Sequence, residues 1–254
     1  MPRTSLAGPC LAVLLALTAC SPSAPDQGAP ADAGGRTSPA TGAAGTSSPV
    51  PADRTDGGTF SPADLAGILG TLSEAGGAPL QVIPADRIDQ SMAEARRFLE
   101  SVTITPEECA IFVSNSLEAP EGAAYSTAVS TLNGDAVQTI VTASSSTDAA
   151  QAASRTDAAA AALGSCASFS LEAQGVAIEQ TVEAVDATTA AETTFGTVTV
   201  QSSSDGAKQQ TMSLVGTRGG LAVTAVRTAQ DVLPEGTQGE LQALVDRTLA
   251  AAKG

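Results

Sequence analysis

Histidine and tryptophan are absent from this sequence, and tyrosine occurs once. Without histidine there is no Ser-His-Asp or Cys-His catalytic unit, because no imidazole is left to act as the base. The His-based zinc sites go with it. Aromatic residues are 2% of the 254-residue chain, too few for a base-stacking or sugar-stacking platform. Positive charge is scarce as well: 12 Lys and Arg stand against 27 Asp and Glu, a formal net charge of -15. Phosphate contacts need clustered Lys and Arg, and the two lysines, Lys208 and Lys253, lie far apart. Nucleic acid is therefore not an expected partner. No apolar run reaches the roughly 20 residues that a comfortable transmembrane helix needs.

What is present begins with an address. Met1-Pro2-Arg3 precedes a short apolar run over residues 6–19, unbroken over residues 10–17. One basic residue before such a run reads as a secretory signal. The run closes in Leu17-Thr18-Ala19-Cys20, which resembles a bacterial lipobox. The resemblance implies that residues 1–19 are a signal peptide removed before Cys20, taking Cys10 along. It also implies that the Cys20 thiol carries a diacylglycerol and that the new amine is open to acylation. The protein would then sit on the extracytoplasmic face of the cell membrane, held through its lipid. Two or more chains anchor stably where one is marginal. The competing reading is an ordinary secretory signal with an incidental cysteine.

Residues 20–59 read as a lipidated cysteine and a disordered tether. Ser, Pro, Ala, Gly, Asp and Thr dominate residues 21–59, and Val50 is the one large aliphatic residue there. Such a segment buries too little apolar surface to offset the entropy of ordering. As a flexible chain it would span on the order of 35 Å. Asp53-Arg54-Thr55-Asp56-Gly57-Gly58 misses the spacing of a calcium loop and lacks its closing Glu, so it belongs to the linker.

Residues 60–254 are long enough for one core. Ser61-Pro62-Ala63-Asp64 is a capping-box start, and Leu65, Ile68, Leu69 and Leu72 follow at helical spacing up to Gly76-Gly77. A helix over residues 86–99 comes next. Thr105-Pro106-Glu107-Glu108 repeats the capping pattern before a short helix carrying Cys109, Ile111 and Phe112. Strands are predicted over residues 125–132 and 135–144, joined by Asn133-Gly134, a strong hairpin signal. An Ala-rich helix over residues 148–163 precedes strands over 167–173, 176–185, 194–203, 208–216 and 221–227. Gln174-Gly175, Asp205-Gly206 and Gly219-Gly220 supply turns. A last helix near residues 239–252 carries Leu241, Leu244, Val245 and Leu249 on one face. The fold class expected is α+β: an antiparallel sheet of about six or seven strands with helices packed on one face.

With Cys20 lipidated, Cys109 and Cys166 remain, and an exported chain with two cysteines most simply makes one disulfide. A redox pair is the alternative, but there is no Cys-X-X-Cys. Thr105-Pro106-Glu107-Glu108-Cys109, the lone Tyr125, Leu163-Gly164-Ser165-Cys166 and Arg218-Gly219-Gly220-Leu221-Ala222-Val223 occur in that order. Together they resemble actinobacterial lipoproteins whose domain is similar to the extracellular sensor domain of the mycobacterial kinase PknH. The resemblance covers roughly residues 60–252. It implies an antiparallel α+β fold with a ligand-sized cleft outside the membrane. PknH-type domains carry two disulfides, whereas this chain has cysteines for one.

Other candidates have bland readings beside them. No Ser has an activating neighbour, since neither Lys stands at Ser-X-X-Lys spacing. Glu107 and Glu108 read as first-turn acids favoured by the helix dipole rather than a catalytic pair. Asp86 and Asp89 share a helix face and would hold a hard cation only weakly; a solvated face is the alternative. Arg96-Arg97 is the one adjacent basic pair, fit for an anionic headgroup or wall polymer, or for an exposed salt bridge. Tyr125 is either sheet packing or a ligand contact. These residues point to a non-enzymatic envelope lipoprotein with a ligand-binding or sensor-like domain, without cofactor or metal. Its partner would be a small molecule, wall component or envelope protein. The alternative is a lipid carrier resembling LppX/LprG-type lipoproteins, which needs an apolar cavity between sheet and helices. A hydrolase built on carboxylates alone is a third class.

Overall fold

The computed structural model describes residues 59–114, 122–132 and 136–253. The lipobox, Cys20, the tether up to residue 58 and the Asn133-Gly134 turn lie outside the described residues. Among those described, no helix is long and apolar enough to cross a membrane.

Helix α1 (Pro62–Leu69) starts on the expected capping box. The Asp64 N–H donates to the Ser61 hydroxyl, and the Ser61 N–H donates back to the Asp64 carboxylate. It ends earlier than the spacing predicts, with Gly70 at the C-cap. Thr71 donates its hydroxyl to the Ile68 carbonyl, a local bond that competes with helix continuation. Leu72 leaves the helix and is still buried. Strand β1 (Gln81–Val82) and helix α2 (Ala85–Leu99) follow, and then strand β2 (Thr103–Thr105). Thr105 is not the expected cap. It is extended in β2, paired with Ser170, and the 3-10 turn Glu107–Ala110 behind it has no side-chain cap. Helix α3 (Ile111–Ser114) continues that turn.

The strand-rich part matches the predicted order: β3 (Ala124–Leu132), β4 (Val137–Ser145), helix α4 (Ala149–Ala162), β5 (Ser168–Ala173) and β6 (Val176–Val185). Strands β7 (Thr193–Ser203), β8 (Lys208–Arg218) and β9 (Leu221–Gln230) lead to helix α5 (Thr237–Ala251). Gln174 and Gly175 both have positive φ (53° and 79°), the backbone of a tight hairpin turn. The Asp148 carboxylate caps α4 through the N–H groups of Ala150 and Gln151.

All pairings are antiparallel in one nine-stranded sheet, ordered β1-β3-β4-β9-β8-β7-β6-β5-β2. Nine replaces the expected six or seven. The additions, β1 and β2, are two and three residues long, too short to show a period-two pattern. They exist because β3 and β5 offer them an edge.

The register separates the two faces. On one, Val141, Ala143, Val223, Ala225 and Leu214 meet Leu65 and Leu69 of α1 and Leu241, Leu244, Val245 and Leu249 of α5 in a single core. Each buried Leu or Val side chain among them contributes roughly 1.5–3 kcal/mol. The opposite face carries a second core. Phe169 pairs with Gln180, Gln180 with Gln201, Gln201 with Gln209, and Gln209 with Gln230. Gln230 follows Ala229 of the first face, so Phe169 points the other way. Phe112 of α3 stacks on Phe169 with ring centroids 6.3 Å apart. Leu171, Val182, Val113, Cys109 and Cys166 are buried in the same region. Helices therefore lie on both faces, not on one. α2 lies beside β3 on the second face, and β2 carries the following turn to the β5 edge, away from α1 and α5.

Candidate functional site

Tyr125 is the second residue of β3, on the second face, and α2 lies beside it. Its hydroxyl donates to the Asp89 carboxylate, with Arg96 close enough to act on the pair through its charge. The Tyr125 pKa is pushed up to about 12. The hydrogen bond to Asp89 is the main cause, since it favours the protonated phenol; burial and the Asp89 charge add to it, and Arg96 opposes them. Arg97 points elsewhere: its Nε donates to the Ala93 carbonyl of its own helix. The structure thus joins Tyr125 and Arg96 through Asp89 and leaves Arg97 apart. Asp89 is a phenol acceptor here, and no group of three or more acidic or thiol side chains gathers among the described residues.

A hollow of about 250 Å³ lies where α2 passes into β2 and the 3-10 turn. Leu99, Val102, Ile104, Ala110 and Val113 line it, with the exposed Glu107 at the rim. Sequence reasoning assigned Glu107 only to a helix start and missed the hollow. Its lining comes from the end of α2, the link after it, β2, the 3-10 turn and α3, so no single apolar period runs through it.

A third cluster was also missed. Arg227 on β9 is buried in the first face. Its guanidinium donates to the Thr139 hydroxyl and to the carboxylates of Glu74 and Glu240. The Ser130 hydroxyl donates to Glu74 from the other side. A signal was available: Leu221, Val223, Ala225, Arg227 and Ala229 alternate inward, and one of the five is charged. This network ties the segment behind α1 to β9 and α5, and each of the three guanidinium nitrogens of Arg227 donates to an acceptor.

Cys109 and Cys166 form the expected disulfide, with Cα atoms 5.4 Å apart and both side chains fully buried. It fastens the 3-10 turn to the chain just before β5. These parts together define an antiparallel α+β domain with one internal disulfide.

No family model matches the chain, and no curated protein matches it in sequence. Among solved structures, the fold is similar to the extracellular domain of PknH from Mycobacterium tuberculosis, with a TM-score of 0.45 and 12% identity over 68% of this chain and 99% of that one. It is also similar to an Rv0999 ortholog from Mycobacterium smegmatis, with a TM-score of 0.39 and 18% identity over 61% of this chain and 78% of that one. At such scores neither likeness bears on function.

Proposed function

We propose that the protein is a non-enzymatic binding or sensor-like domain in the cell envelope, held on the extracytoplasmic face of the membrane through a lipidated Cys20. The buried Cys109–Cys166 disulfide carries this reading. Such bonds persist in oxidising compartments and are rare in the cytosol. The lipobox pattern supplies the anchor, and residues 21–59 supply the tether. Tyr125 and Arg96, with Arg97 nearby in sequence, are the proposed ligand contacts, and the hollow beside Glu107 is a second place for one. The partner would be a small molecule, a wall component or an envelope protein. A lipid carrier would need a large apolar cavity between the sheet and its helices, and α1 with α5 cover one face of the sheet. Leu65, Leu69, Val141, Leu214, Leu244 and Leu249 occupy that space.

Cys20→Ala tests the anchor. The wild-type chain is expected in the membrane fraction with incorporated lipid label, and the variant without label, released or unprocessed. Equal labelling and partitioning of the two would remove the anchor from the proposal. Native mass spectrometry of the tether-cleaved protein tests the ligand, where co-purifying acyl lipid would favour a carrier instead.

A further inference from the structure

We infer that residues 103–113 form a cover that opens as one unit, and that the Cys109–Cys166 disulfide is its latch. This segment holds β2, the 3-10 turn and most of α3, and none of its residues belongs to the core under α1 and α5. Its ties to the sheet include three ladder pairs from β2 to β5, the Phe112–Phe169 ring contact and the disulfide. Opening it would uncover Phe169, Leu171 and Val182 while leaving the first face packed. Proteins open in such cooperative pieces when a segment makes few contacts with the main core. The hollow would go with it, because Ile104, Glu107, Ala110 and Val113 line it and all lie in the cover. That consequence rests on the proposed function; the opening itself does not.

Release follows from thiol–disulfide exchange with a dithiol reductant. One thiolate attacks a sulfur, a mixed disulfide forms, and the second thiol resolves it. Two electrons and two protons pass to Cys109 and Cys166, and the reductant leaves as a disulfide. Both sulfurs are fully buried, so β2 and the Phe112 ring must part before attack. The rate of reduction therefore reads how often the cover opens.

Hydrogen exchange on the full chain, oxidised and reduced, tests this. Amides of residues 103–113 are expected to exchange roughly 100-fold faster after reduction, with β4, β9 and α5 nearly unchanged. Equal loss of protection in β4, β9 and α5 would overturn the inference, as would retained protection over residues 103–113. Phe112→Ala provides a second test with the disulfide intact. It should speed reduction by a small dithiol about tenfold without moving the main thermal transition. An unchanged reduction rate, or a main transition that falls in step with it, would refute the latch.

Discussion

Replacing Arg227 with Leu should cost the domain about 3–5 kcal/mol. The magnitude follows from what the replacement leaves behind. Glu74 is 3% exposed, and its carboxylate is held by Arg227 on one side and Ser130 on the other. Without the guanidinium, one hydroxyl remains to stabilise a buried negative charge. Glu240 matters less, because its side chain is 34% exposed and can turn to water. Thr139 loses a donor but keeps a neutral hydroxyl. The penalty therefore sits mainly on Glu74. It follows that Glu74→Leu added to Arg227→Leu should restore much of the loss, since apolar side chains often replace a buried ion pair at little cost. A few kcal/mol is a large share of a total near 5–15 kcal/mol, and it should lower Tm by roughly 10 °C. Urea unfolding followed by far-UV circular dichroism suits a chain without tryptophan. A loss below about 1 kcal/mol for the single replacement, the range of an exposed pair, would refute the reasoning. So would a double replacement less stable than the single one.

Tyr125 is the only tyrosine, so tyrosinate absorbance reports it alone, and its midpoint should lie near pH 12. Asp89→Asn should bring that midpoint back toward the usual value of about 10. The folded domain holds this proton more tightly than the unfolded chain does. The resulting stability is full below about pH 10 and is lost as pH rises toward 12. Denaturation midpoints measured across that window should fall in the wild type and fall less in Asp89→Asn. Gly220→Ala should destabilise by about 1–3 kcal/mol, because a Cβ there would stand 2.2 Å from the Ser146 carbonyl oxygen. That oxygen is backbone, directly beside the Ser146 N–H bond to Gly220. A thermal melt identical to wild type would show that the β4–α4 corner yields instead.

What was legible in the sequence was local. The Ser61 capping box closes within four residues, so its letters are enough to predict it. The apolar face of α5 has its four named residues buried as the 3.6-residue period requires. The seven longer strands were visible through β-branched composition and turn glycines. What was not legible depended on distant partners. β2 is a strand only because β5 runs beside it, and that pairing turns Thr105 from a cap into a ladder residue. The hollow has no sequence period because α2, the link after it, β2, the 3-10 turn and α3 each contribute one or two side chains. Arg96 and Arg97 look equivalent as neighbours, yet one helical step sends them to different surroundings.

The sequence by itself determined the excluded chemistry, since a missing imidazole is missing in any fold. It also determined the α+β class, through periodicity and turn residues, and it offered Cys109 and Cys166 as a pair on the reading that Cys10 belongs to a signal and Cys20 to an anchor. Only the tertiary structure decided which face each core occupies. A strand's two faces differ by one residue of register, and that register is set by pairing across the whole sheet. The same pairing placed Arg227 inward, where Glu74 from 153 positions away meets it. It also set the disulfide-bound segment on the face opposite α1 and α5, and so gave one sheet two separate cores.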